Sequence, residues 1–178
     1  MEESIRQAVA EGADSPLSAV SGSDTGTIQG LPTAPSPDFA QLMAYELKLQ
    51  KIDLRTYSPL VLAYIGDAVY ELLVRTKVVN AGSMQVSKMH KRSAELVKAH
   101  TQAELVHVLE EELTEEEVAV YKRGRNAKTV TMAKHATMAD YRAATGFEAL
   151  VGYLYLAGRY DRLLRLVHDG LEKMGELV

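Results

Sequence analysis

The stretch Leu62-Ala63-Tyr64-Ile65-Gly66-Asp67-Ala68-Val69-Tyr70-Glu71 decides how this chain folds. Its apolar residues follow no strand-like alternation and go nearly all the way round a helical turn. Just upstream, Ser58 offers an N-cap oxygen and Pro59 the fixed φ of a first turn, so a helix is expected to about Val79, stopping before Ala81-Gly82. Hydrophobicity on every face marks a central helix. Two acids, Asp67 and Glu71, stand one turn apart within it. Acidic side chains are almost never fully buried unless paired, metal-bound or functional, because an ionised carboxylate loses hydration in a low-dielectric site. Asp67 is the residue to explain. A second such acid, Glu148, sits in Thr145-Gly146-Phe147-Glu148-Ala149-Leu150-Val151-Gly152-Tyr153-Leu154-Tyr155.

Outward from that helix the pattern stays helical. Asp38 can cap a helix over 39–51 with an apolar stripe that includes Phe39, Leu42 and Leu47, expected to dock on the body. Residues 88–109 read as helix, broken near Ala99-His100. Thr114-Glu115-Glu116-Glu117 is a capping box, opening a helix that runs into Tyr121-Lys122-Arg123-Gly124-Arg125-Asn126-Ala127-Lys128, where Gly124 and Asn126 are expected as C-cap residues. Another helix begins near Thr137 and ends at Gly158, and a last amphipathic one covers 161–174. No strand-period run competes, so the body is expected to be all-α with about seven helices.

The segment from Gly12 to Pro37 is rich in Gly, Ser, Thr, Asp and Pro, too poor in apolar surface to offset the entropy of ordering. Expected boundaries are therefore a disordered extension over 1–37, an accessory helix and linker over 38–56, and one globular domain over 57–178. With 178 residues, 47% of them hydrophobic, one core can be buried. No cysteine is present, which excludes disulfides, thiolate nucleophiles and cysteine-ligated zinc. No basic, apolar leader and no membrane-length run appears, so a cytoplasmic location is expected. The net charge of −4 conceals an asymmetry: residues 1–50 hold seven acidic and two basic side chains, leaving the body slightly positive.

Asp67 and Glu148 lie on two central-looking helices, and packing those helices together would bring the acids near each other. Two hard carboxylate oxygens with room for water suit Mg²⁺. The competing reading is an ion pair with Arg75, Arg142 or Arg159, and Glu71 fits that structural role better than Asp67 does. Between Glu117 and Asp140 there is no acid, and Lys122, Arg123, Arg125, Lys128, Lys134 and His135 fall in that window. Such a window is either a solvated helix end or a phosphate-binding stretch to which Thr129, Thr131 and Thr137 add hydroxyls. Lys88, His90, Lys91 and Arg92 form a weaker cluster. The tyrosines at helical spacing, Tyr64, Tyr70, Tyr141, Tyr153 and Tyr155, read as core with one wet end.

Three segments, Leu62 through Glu71, Lys122-Arg123-Gly124-Arg125-Asn126-Ala127-Lys128, and Tyr141-Arg142 through Leu154, occur in an order and at a spacing that resemble the Mini-ribonuclease III family. Met89-His90-Lys91 and Gln102-Ala103-Glu104 between them add to the likeness, which spans about Leu60 to Val167. The resemblance implies a ribonuclease III endonuclease-domain fold without a separate double-stranded-RNA-binding domain, and a homodimer. It also implies Mg²⁺-dependent cleavage of double-stranded RNA to 5′-phosphate and 3′-hydroxyl ends. The implied substrate is the 23S ribosomal RNA precursor in ribosome biogenesis, with a large-subunit ribosomal protein as a further candidate partner. By position, Asp67 and Glu148 are the implied catalytic metal ligands. Larger relatives carry further acids where this chain has Ala63 and Thr145, so its site is thinner in carboxylates. Lys122, Arg123, Arg125, Asn126 and Lys128 are the expected RNA contacts. The alternatives are a non-catalytic module that holds structured RNA, or a helical dimerisation scaffold.

Overall fold

The computed structural model describes residues 39–128 and 137–177. The extension expected over 1–37 lies outside them, as do Thr129, Thr131, Lys134 and His135. The chain divides into two units, Met1–Leu42 and Met43–Val178. Of the first, only 39–42 are described, as the opening of helix α1 (Phe39–Glu46). That helix stops short of the expected Lys51. Lys48 takes a left-handed φ of 51°, and the Leu49 amide donates to the Ala44 carbonyl at 2.9 Å, closing the helix as a Schellman turn does.

The second unit is built on α2 (Pro59–Asn80), whose Ser58 cap accepts from the Val61 amide at 3.3 Å. There follow α3 (Val86–Val97), α4 (Ala99–Leu109), α5 (Glu115–Arg125), α6 (Met138–Leu156) and α7 (Tyr160–Lys173), with short 3₁₀ turns over Leu54–Thr56 and Glu110–Glu112. No strand occurs among the described residues. The expected break in the third helical segment is real and falls at Lys98, which is extended with ψ 148°. Two carbonyls freed there are taken up by side chains of the next helix: Thr101 Oγ1 donates to Glu95 O at 2.8 Å and Gln102 Nε2 to Val97 O at 2.9 Å.

Glycines let three helices meet at backbone distance. A Cβ at Gly66 of α2 would lie 1.8 Å from the Glu148 carbonyl oxygen of α6, and one at Gly152 would lie 2.0 Å from the Leu62 carbonyl. A Cβ at Gly124 of α5 would lie 2.7 Å from Ala149 Cβ and 2.9 Å from Gly146 Cα. Around these crossings Tyr70, Phe147, Leu105, Leu109, Leu150 and Leu154 form the core, with Tyr70 edge-on to Phe147 at 5.1 Å. The Tyr70 hydroxyl donates to the Leu96 carbonyl at 3.2 Å, so its polar end is satisfied inside the protein.

Two expectations are corrected. Gly124 is not a C-cap; α5 continues to Arg125 and is capped by Asn126, and Gly124 is buried because α6 passes too close for a side chain. Nor is α2 buried all round. Leu62, Gly66, Tyr70, Val74 and Val78 face the core, whereas Val61, Tyr64, Leu72 and Val79 are open to solvent, Tyr64 with 83% of its surface. Among the described residues, no helix is long and apolar enough to cross a membrane.

Candidate active site

The Gly66 crossing sets the site. Asp67 follows Gly66 on α2, and the backbone that Gly66 touches on α6 is that of Glu148, so the helix contact holds both acids at one place. They line an open concavity of about 410 Å³ together with Ala63, Tyr64, Tyr141 and Thr145. Ala63 and Thr145 stand on its wall without adding charge, and the Thr145 hydroxyl is turned to the Tyr141 carbonyl at 3.0 Å.

The two acids differ in environment. Burial, then the Asp67 charge, pushes the Glu148 carboxyl up to about 7, against a hydrogen bond from Gln102 Nε2 to Glu148 Oε1 at 3.2 Å that favours the ionised form. Asp67 is raised as well, by partial desolvation and then by Glu71. It is nonetheless an exposed residue, not the buried one its sequence context suggested, because it lies toward the open side of α2. No described cation neutralises either acid. Arg75 pairs with Glu71 at 2.6 Å and Arg159 with Glu116 at 2.6 Å, while Arg142 makes no ion pair among the described residues. Glu71 thus has the arginine partner that its sequence position offered.

Two like charges, one of them desolvated and both without a cation, form a donor set of hard oxygens. That set fits a divalent metal ion bound through two carboxylates with water completing its shell. The basic window begins in the last turn of α5. Gly124 packs on Gly146 and Ala149, so the last turn of α5 lies against α6. Lys122, Arg123, Asn126 and Lys128 are at or near the surface there, and the Arg125 guanidinium lies 5.7 Å from the Tyr121 ring centre.

A model of the ribonuclease III domain matches residues 60–159, which hold every one of these groups. The chain belongs to the ribonuclease III family. Within it, the Mini-ribonuclease 3 of Clostridium tetani is 49% identical over 114 residues, covering 64% of this chain and 76% of that protein. The Mini-ribonuclease 3 of Thermoanaerobacter sp. is 46% identical over 72% of this chain and 90% of its own length. That of Symbiobacterium thermophilum is 50% identical over 66% of this chain and 93% of its own. A crystal structure of a Fusobacterium nucleatum protein superposes with a TM-score of 0.63 at 28% identity, covering 68% of this chain and 99% of that one. The resemblance read from the three motifs is therefore correct, and the chain is an endoribonuclease of the Mini-ribonuclease III kind.

Sequence reasoning passed over Gln102. It was visible only as part of a shared motif, although its spacing to Leu105, Val106 and Leu109 places it on the inward face of α4, where all four are buried. A polar residue on that stripe was the available signal.

Proposed function

We propose that this ribonuclease III family member is a Mg²⁺-dependent endonuclease for double-stranded RNA that leaves 5′-phosphate and 3′-hydroxyl ends, with Asp67 and Glu148 as its catalytic and metal-binding pair. The supporting observation is their convergence on one concavity, with no described cation paired to either. Bound to both carboxylates, Mg²⁺ would supply Lewis-acid polarisation of the phosphodiester and a water of lowered pKa.

The chain's own residues do the rest. Lys122, Arg123, Arg125, Asn126 and Lys128 bind phosphates and 2′-hydroxyls of the duplex, which in A-form RNA is read by shape more than by sequence. Because α5 packs against α6, a duplex held by these residues would extend along α6 toward the acids. Tyr64, Leu72 and Val79 leave an apolar stripe on the outer side of α2, and a second copy of the chain covering it gives a homodimer with two acid pairs. The 23S ribosomal RNA precursor, matured in the cytoplasm during ribosome biogenesis, is the substrate this reading favours, with a large-subunit ribosomal protein as a further partner.

The test is incubation of the purified protein with precursor large-subunit RNA, with and without Mg²⁺ and with and without ribosomal proteins, mapping both new ends. Staggered cuts in duplex regions that vanish in Asp67→Asn support the proposal. Binding of structured RNA with no Mg²⁺-dependent cut would make the chain a binding module instead.

A further inference from the structure

Gln102 is a polar side chain placed where an apolar one would pack. Only 1% of its surface is exposed, and α4 presents it on the same face as Leu105, Val106 and Leu109. Both protons of its Nε2 are used: one goes to Val97 O at 2.9 Å, the other to Glu148 Oε1 at 3.2 Å. Its Oε1 is buried and accepts no hydrogen bond from any described residue. A buried acceptor without a partner destabilises a fold, and a leucine or methionine of similar size would remove that acceptor, though at the cost of the donor to Val97 O. The amide is therefore retained for what its nitrogen does.

What the nitrogen does is join two elements. The Val97 carbonyl is an orphan of the α3 to α4 break, fixed by the extended backbone of Lys98 and by Thr101 on Glu95 O. Gln102 is clamped to that rigid corner at one proton and holds a carboxylate oxygen with the other. Its hydrogen bond occupies Oε1 and leaves Oε2 of Glu148 with no hydrogen-bond partner among the described residues, in the side chain that lines the concavity with Asp67. We infer that Gln102 is a positioning residue of this site: it locks the Glu148 carboxylate through Oε1 so that the group is presented, already oriented, to a divalent cation shared with Asp67. This rests on the assignment of Asp67 and Glu148 as the cation-binding pair. It adds a residue from a third helix, α4, with no charge of its own and no contact with the substrate.

Outer partners that orient metal-binding side chains typically account for about 10- to 100-fold in metal affinity. Gln102→Met and Gln102→Leu remove the donor while filling the space. The expected result is Mg²⁺ binding, followed by calorimetry in the absence of RNA, weakened about 10-fold or more, beyond any fall in Tm that comes from leaving Val97 O without its donor. The Mg²⁺ midpoint for cleavage should rise in parallel, with saturating Mg²⁺ restoring most of the rate. A lowered Tm with an unchanged Mg²⁺ affinity would overturn the inference, making Gln102 a capping and packing residue only. Should neither variant fold, the side-chain amide resonances of Gln102 in the native protein decide: they should move on Mg²⁺ titration with the midpoint of binding, and no movement counts against the role. Asp67→Asn and Glu148→Gln serve as controls. If they leave Mg²⁺ binding intact, the site assignment itself fails; if they abolish it while both Gln102 variants bind as the native protein does, only the positioning role fails.

Discussion

Glu148 is the residue in which fold and chemistry meet most directly. Its carboxyl ionises near 4.5 in an unfolded chain and at about 7 in the native one, so the native state holds the extra proton between those values. A raised acid pKa contributes stability that is fully present below the unfolded value and is lost as pH rises through the folded value. Unfolding free energy in the absence of metal should therefore fall from pH 5 to pH 8 by roughly 2–3 kcal/mol more in the native chain than in Glu148→Gln, since each tenfold change in proton affinity is worth about 1.4 kcal/mol. Paired urea titrations at the two pH values measure this directly. The same proton competes with a cation, so Mg²⁺ affinity should increase as pH passes 7, with proton release visible as a buffer-dependent binding heat. Asp67, being exposed, has a smaller structural part. Asp67→Asn is expected to keep the native Tm within a few degrees and to lower the cleavage rate by orders of magnitude, as measured in a single-turnover assay.

At the scale of elements, the site depends on how closely α2, α5 and α6 approach. Gly66→Ala would place a methyl carbon 1.8 Å from the Glu148 carbonyl oxygen, a backbone atom with no side-chain freedom to give way. Overpacking of this kind costs about 1–3 kcal/mol, and the separation it forces acts at the acids themselves. Cleavage should drop more than about 10-fold even where circular dichroism shows retained helix. α5 is anchored at its other end by Glu117, which closes the capping box with the Thr114 amide at 2.9 Å and receives Arg162 of α7 at 2.9 and 2.8 Å. Arg162, then the Thr114 amide, hold that carboxyl below its ordinary value against the effect of burial. Arg162→Met strips the partner from a buried charge, and a loss of about 3–5 kcal/mol is expected in equilibrium unfolding at pH 7. The loss should shrink on acidification, because the stability from a lowered carboxyl pKa is present above its unfolded value and disappears as pH falls through its folded one.

For the whole molecule, the uncovered side of α2 and the cationic end of α5 lead to two measurements. If the proposed homodimer forms through this stripe, light scattering should find a dimer for the native chain and a folded monomer for Leu72→Glu combined with Tyr64→Glu, since the added like charges would face each other across a two-fold contact. Arg123→Ala with Arg125→Ala should weaken duplex RNA binding evenly across sequences and reduce the salt slope by about two, one for each phosphate contact removed. An unchanged slope would place the RNA elsewhere on the protein.

Local patterns in the chain were enough for the helices and most of their starts, though not for the end of α1 at Glu46 or the role of Gly124. Ser58, the Thr114 capping box, Thr137 and the break near Ala99 were all legible, because a cap or a break is settled by a few neighbouring residues and their backbone hydrogen bonds. The sequence also carried the family likeness, through the spacing of its acids and cations. Tertiary structure alone decided the rest. Only the packing of α5 on α6 explains why position 124 is glycine, and only the orientation of α2 shows that Asp67 faces outward while Glu148 is desolvated. Gln102 meets Glu148 across 46 residues, and Arg162 meets Glu117 across 45. Burial, close approach and proton affinity depend on neighbours brought from distant parts of the chain, and no local pattern encodes which neighbours those will be.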